Sequence, residues 1–274
     1  MKEYATEFIR NVALVSHGGA GKTSLGEAML FLTGVINRMG RVEDGNTVSD
    51  FEEEEIRRNL SLSTSILPVE YKDNKVNLLD TPGYTDFIGE VISALRVADG
   101  AVVVVDSVAG VEVGTELVWD YCDTFKLPRF VVISKMNREN ANFQAALAAV
   151  QELSSDVTFI PVQLPLGEKL DFEGVIDLFS MKARPGDGTK AQDIPAEYAD
   201  SVEEARTMLV EAVVENADGK LIPGRCFVHF RWMEWRQTRS VNSLDLDFIG
   251  KNAIPQYRVT QFQRFYHDQK LANG

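Results

Sequence analysis

The most constraining stretch of the chain is Ser16-His17-Gly18-Gly19-Ala20-Gly21-Lys22-Thr23. It lies between an apolar run, Val12-Ala13-Leu14-Val15, and a helical pattern that opens Ser24-Leu25-Gly26-Glu27-Ala28-Met29-Leu30. A strand that stops in a glycine-rich turn and reopens as a helix leaves backbone N–H groups free to wrap an anion. The glycines let the main chain approach phosphate oxygens with no Cβ in the way. In that setting Lys22 brings an ammonium to the β- and γ-phosphates, and the Thr23 hydroxyl becomes a magnesium ligand. One position departs from the pattern: the first, ordinarily glycine, is Ser16. The bland alternative is a Gly/Ala turn before an ordinary helix, and the strand–loop–helix context argues against it. Residues Ser16 to Ser24 are therefore candidate nucleotide-binding positions.

Composition limits the partners. The 274 residues are 45% hydrophobic and 25% charged, as in an ordinary soluble globular protein of one large or two modest domains. A net charge of −13 argues against charge-driven binding to nucleic acid or anionic membrane, while leaving room for a shape-specific contact with a ribonucleoprotein. Cys122 and Cys226 are the only cysteines and have no ligand-like spacing, which fits a reducing compartment. Met1-Lys2-Glu3-Tyr4-Ala5 is polar and without the apolar core of a signal peptide, and the run Ala101 to Val105 is too short to span a bilayer. The expected setting is the cytoplasm, and the expected state a monomer.

Past the first helix, Gly40 to Asn59 has little periodicity and carries Glu52-Glu53-Glu54-Glu55 followed by Arg57-Arg58. A solvated charged face explains such a run, but a loop this long inside a domain is more often functional. Ser65 to Tyr71 reads as a strand whose Pro68 marks an edge, and Lys75 to Asp80 as its hairpin partner. Helices over 86–98, 114–125 and 142–153 then alternate with apolar strands at 101–106 and 130–133. That alternation predicts an α/β fold of the P-loop NTPase kind, a mostly parallel sheet with helices on both faces. Ligands of such sheets sit beyond the carboxyl ends of the strands, where 16–23, 80–84 and 134–137 all fall.

Asp80-Thr81-Pro82-Gly83 ends a strand in an acid and a backbone turn. Asp80 can hold a magnesium shell, and the Gly83 N–H can sense a γ-phosphate. Taken alone, a strand-terminal Asp is also a common helix N-cap. Ser134-Lys135-Met136-Asn137 occupies the slot where guanine-specific NTPases carry Asn-Lys-x-Asp.

Residues from about Phe8 to Ala183 resemble the GTP-binding domain of bacterial elongation factor G, a ribosomal translocase. The resemblance runs through Gly21-Lys22-Thr23, Gly45-Asn46-Thr47-Val48-Ser49-Asp50-Phe51, Asp80-Thr81-Pro82-Gly83, Arg96 to Ala101 and Gly110-Val111-Glu112. It continues through Lys135 to Phe143, Gln163 to Gly167 and Phe172 to Leu178. It implies GTP hydrolysis to GDP with Mg²⁺, and the ribosome as partner. It also implies a first switch over Gly40 to Ser65, ordered by the γ-phosphate, and a second opening at Asp80 to Tyr84. Thr23, Ser61 and Asp80 would form the magnesium shell. Lys22, Gly83 and Tyr84 would be the catalytic positions, with Lys22 carrying transition-state charge.

Two departures bear on activity. Tyr84 stands where the family has the His that orients the attacking water, and a phenol of pKa near ~10 is a poor base at neutral pH. Slow hydrolysis is the expectation. Asn137 replaces the guanine-reading Asp, so one of two contacts to guanine becomes donor against donor, at a cost of about 1–3 kcal/mol. Weaker GTP binding and a shift toward xanthosine nucleotides follow. Ser134, in place of Asn, is expected to loosen that loop. Asn59 and Ser61 stand where the first switch has Gly and Thr; Ser61 keeps a hydroxyl, and Asn59 tolerates left-handed angles. The same two departures support a rival reading, a non-catalytic nucleotide-binding regulator associated with the ribosome or an inactive fragment with altered base specificity.

The expected organisation is a GTPase domain over 1–183, the start of an inserted subdomain over 184–218, and an unassigned tail over 219–274. The tail carries 9 Lys/Arg against 4 Asp/Glu, a net of +5, whereas the preceding chain nets −18. Val228, Phe230 and Trp232 alternate with His229 and Arg231 as in a strand, though a basic, aromatic segment can also stack on RNA.

Overall fold

Apolar side chains fill both faces of the central strands, as a parallel sheet between two helical layers requires. The computed structural model describes residues 2–155, 157–186, 189–214 and 225–230. In chain order the elements are β1 (Ile9–Val15), α1 (Lys22–Leu32), α2 (Glu53–Arg58), β2 (Ser65–Tyr71), β3 (Asn74–Asp80), α3 (Ile88–Val97), β4 (Gly100–Asp106) and α4 (Val113–Thr124). They continue with β5 (Arg129–Ser134), α5 (Phe143–Gln151), β6 (Thr158–Pro161), β7 (Gln163–Leu166), β8 (Gly174–Asp177), β9 (Lys182–Pro185), α6 (Ala199–Val214) and β10 (Arg225–Phe230).

The main sheet has the order β2-β3-β1-β4-β5-β10-β6. Among its described strands only the β2–β3 hairpin is antiparallel, and Pro68 does lie in the edge strand β2. Strand alternation divides the core in two. Val12, Leu14, Val102, Val104, Phe130 and Val132 face a layer formed by Leu25, Met29 and Leu30 of α1 with Val202, Ala205 and Leu209 of α6. Ala13, Val15, Val103, Val105, Val131 and Ile133 face α3, α4 and α5, where Leu95, Trp119 and Val150 are buried.

Two features revise the domain plan read from the sequence. Strands β7, β8 and β9 form a separate antiparallel sheet, so the boundary placed between 183 and 184 falls inside β9. The change of sheet comes earlier, between β6 and β7. The tail beginning at 219 supplies β10, which lies parallel between β5 and β6 with Phe230 level with Ile133. Trp232, Trp235, Phe265 and Tyr266, the other aromatic members of that tail, lie outside the described residues. Among the described residues no helix is long and apolar enough to cross a membrane.

Burial on the core-facing side of α4 pushes the Cys122 thiol up to about 12. Iodoacetamide at pH 8 should leave Cys122 unmodified in the folded chain and label it only after urea unfolding, as read from its peptide by mass spectrometry. Native labelling at the unfolded rate would mean that α4 is not packed as described.

Candidate functional site

β1 ends at Val15, and the chain turns through six residues before α1 opens at Lys22, with Gly21 as its N-cap in a left-handed conformation (φ 99°). The turn is anchored from below, because the buried Ser16 hydroxyl donates to the Val104 carbonyl of the neighbouring strand. Lys22 is 6% exposed, and its Nζ donates to the His17 carbonyl oxygen at 3.0 Å. Burial lowers its pKa to about 8, against the pull of Asp80 and Asp50. An ammonium this desolvated, beside the N-terminus of a helix and a glycine turn, is ready to pair with an anion.

The parallel register of β1 and β3 sets Asp80 beside Leu14, so the acid arrives next to the start of the turn. Thr23 Oγ1 donates to Asp80 Oδ2 at 2.8 Å. Among the described residues Asp80 Oδ1 is buried without a hydrogen-bond partner; the Ser49 hydroxyl, also buried and unpaired among them, favours the ionised form without reaching bonding geometry. Burial raises the Asp80 carboxyl to about 6. Ser61 Oγ is 3.3 Å from Thr23 Oγ1 and donates to Asp50 Oδ1 at 2.7 Å. Asp50, buried and raised mainly by desolvation, has no role that the sequence reading assigned. Its only signal there is an acid in a loop expected to supply a metal hydroxyl, and nothing local marks it.

Gly83 follows at the closest approach in the site. A Cβ on it would lie 2.5 Å from Lys22 Nζ and 2.6 Å from the His17 oxygen, so no side chain fits there. The next residue, Tyr84, is 49% exposed and lays its ring on the turn, where a Cβ on Gly18 would be 3.0 Å from two ring atoms. His17 points elsewhere, its Nδ1 2.8 Å from Thr115 Oγ1 in a buried contact, and burial depresses its pKa.

The third segment is tied in more firmly than its sequence implied. Ser134, expected to loosen the loop, donates its one hydroxyl proton to the Ala20 carbonyl at 2.7 Å, with the Val105 carbonyl a second acceptor 3.2 Å away. A short hydroxyl on the sheet thus clamps 134–137 to the glycine-rich turn. Lys135, at φ 55°, forms an ion pair of 2.6 Å with Asp106 at the end of β4. Burial would raise Asp106, but Lys135 and the N–H groups of Val108 and Ala109 hold it below the ordinary carboxylate range. Asn137 is half-buried at the same edge, three residues past the end of β5. Ser16 to Ser24, Ser61, Asp80, Gly83 and Tyr84 therefore form one cluster. Ser134 joins it through Ala20, while Lys135 and Asn137 lie alongside.

Residues 7–243 match the family of elongation factor Tu GTP-binding domains. An elongation factor G from Granulibacter bethesdensis is 38% identical over 227 residues, covering 81% of this chain and 33% of that protein. A crystal structure of a Thermus thermophilus protein superposes with a TM-score of 0.79 and 34% identity, over 91% of this chain and 40% of the other. The chain thus spans a third to two fifths of the length of these relatives. The family match passes through β10. Matched over most of its length and carrying the glycine-rich turn, the strand-end acid and the third loop at one sheet edge, the chain belongs to the elongation factor Tu GTP-binding domain family.

Proposed function

We infer that this chain is the nucleotide-binding and hydrolysing domain of a translational GTPase of the elongation factor G kind. On this reading it binds GTP and GDP with Mg²⁺, hydrolyses GTP slowly, and acts in the cytoplasm as a monomer on the ribosome during translocation. The observation that carries it is the contiguity of Lys22, Thr23, Ser61 and Asp80, with Gly83 packed against the lysine.

The donors fit a hard cation. They are all oxygens, one of them an orphaned buried carboxylate atom at Asp80. Among the described residues no three His, Cys, Asp or Glu side chains form a metal cage. Mg²⁺ needs none, since it is held by one or two carboxylates or hydroxyls plus phosphates and water. Thr23, Ser61 and Asp80 would hold it, with Asp50 behind Ser61. The ion would supply neutralisation of β- and γ-phosphate charge. Lys22, already desolvated, binds the same phosphates and meets the charge that grows in the transition state. The amides of 18–23 orient the triphosphate, and Gly83 presents an N–H at its end. Tyr84 shields the turn from water without acting as a base.

The rival reading, a nucleotide-binding regulator without catalysis, rests on Tyr84 and Asn137. Three measurements separate the two. Lys22→Ala should weaken GTP retention by about 2–3 kcal/mol, the worth of a charge-assisted contact, and chelation with EDTA should weaken it in the wild type. Unchanged retention in Lys22→Ala would remove the basis of the site. Titration with GTP, XTP and ATP should show XTP bound at least as well as GTP, with Asn137→Asp restoring about 1–3 kcal/mol toward GTP. GTP bound far more tightly than both others would contradict the reading of Asn137. Single-turnover phosphate release with ribosomes should be slow and rise about 10²-fold or more in Tyr84→His; no gain in the variant would favour the regulator.

A further inference from the structure

Glu27 is wholly buried one turn along α1 from Thr23, and nothing in the chemistry above uses it. Its carboxylate meets no cation among the described contacts. It accepts two backbone N–H groups from a distant loop, Gly40 N to Oε2 at 2.8 Å and Val48 N to Oε1 at 2.5 Å. Those two residues are the two ends of a closed loop. Within it Arg41 N donates to Asn46 Oδ1 at 2.6 Å, and a Cβ on Gly40 would sit 2.4 Å from the Asn46 carbonyl oxygen. One carboxylate therefore ties both sides of the neck.

We propose that Glu27 is a positioning residue for the cation-binding hydroxyl of Ser61. The route is short. Val48, fixed by Glu27, is two residues from Asp50, and Asp50 accepts the Ser61 hydroxyl at 2.7 Å. Ser61 then stands 3.3 Å from Thr23, which shares one face of α1 with Glu27. A single rigid helical turn thus carries both a metal hydroxyl and the anchor that brings the second one to it. Glu55 secures the other flank by accepting Leu62 N at 2.9 Å and Ser63 N at 3.2 Å, directly after Ser61. The role of Glu27 rests on the magnesium site proposed above.

Glu27→Gln keeps the shape but replaces one acceptor with an NH₂ that faces an N–H donor. In the full chain, binding of a fluorescent GTP analogue without Mg²⁺ should stay within about twofold of wild type, because the glycine-rich turn is untouched. The gain in affinity on adding Mg²⁺ should fall about tenfold, as for one lost charge-assisted hydrogen bond. Trypsin cleavage after Arg41 should be several-fold faster in the Mg²⁺–nucleotide complex. In a Ser61→Ala background, Glu27→Gln should cost no further Mg²⁺ gain, since the two act through one contact. Should Glu27→Gln fail to fold, Val48→Pro removes the matching N–H at an exposed position and should show the same loss. A wild-type Mg²⁺ gain in either folded variant, or additive losses with Ser61→Ala, would overturn the role of Glu27. A wild-type chain that binds the analogue with no Mg²⁺ gain would overturn the metal site itself and this role with it.

Discussion

The register between β1 and β3 is the constraint on which the site depends. With Leu14 opposite Asp80, a carboxylate reaches the sheet edge where the glycine-rich turn leaves it, and α1 can set Thr23 against that acid. Side chains alternate along a strand, so a slip of one residue would send Asp80 to the wrong face and expose apolar neighbours. Val76, Leu78 and Leu79 are buried on the two sides of β3, which makes any such slip costly. Core packing and site geometry are therefore the same choice.

The cluster is balanced against water without being neutralised internally. Lys22 and Asp80 are both deeply buried, and both are displaced toward their neutral forms, the lysine to about 8 and the acid to about 6. Among the described residues each lacks an intimate partner of opposite sign, because Lys22 donates to a carbonyl and Asp80 accepts from a hydroxyl. An anion beside the first and a cation beside the second would return both to full charge. Burial of unsatisfied charge at a functional edge is a cost that the folded core carries and that a bound pair of ions offsets.

The sheet is legible in the sequence because its signals are local: apolar runs of strand length, a glycine-rich turn, and helical spacing between them. The contact of Thr23 with Asp80 is legible for a related reason, since two short motifs at strand ends fall on one edge. Asn59 adopts the left-handed angles its residue type tolerates and caps α2 at φ 53°. Glu27, Asp50 and Glu55 are not legible as anchors, because they bond to amides or hydroxyls elsewhere in the chain and no spacing announces that. The acidic run looks like a solvated face, yet Glu55 within it is buried and holds the segment after Ser61. Ser134 misleads for the same reason, its partner Ala20 lying far away in sequence. The change of sheet between β6 and β7 leaves no trace in composition either.

The place of β10 has a consequence for how the chain is made. Among the described strands of the main sheet β6 pairs with β10 alone, and β10 joins it to β5. Until residues 225–230 have left the ribosomal tunnel, β5 ends in an open hydrogen-bonding edge and β6 has no seat beside it. The small sheet and α6 lie between β6 and β10 in the chain, so both are made before the strand that seats β6. Late, non-local strand insertion of this kind is slow and leaves a sticky border exposed in the interim. A chain caught between those two stages carries that border unpaired.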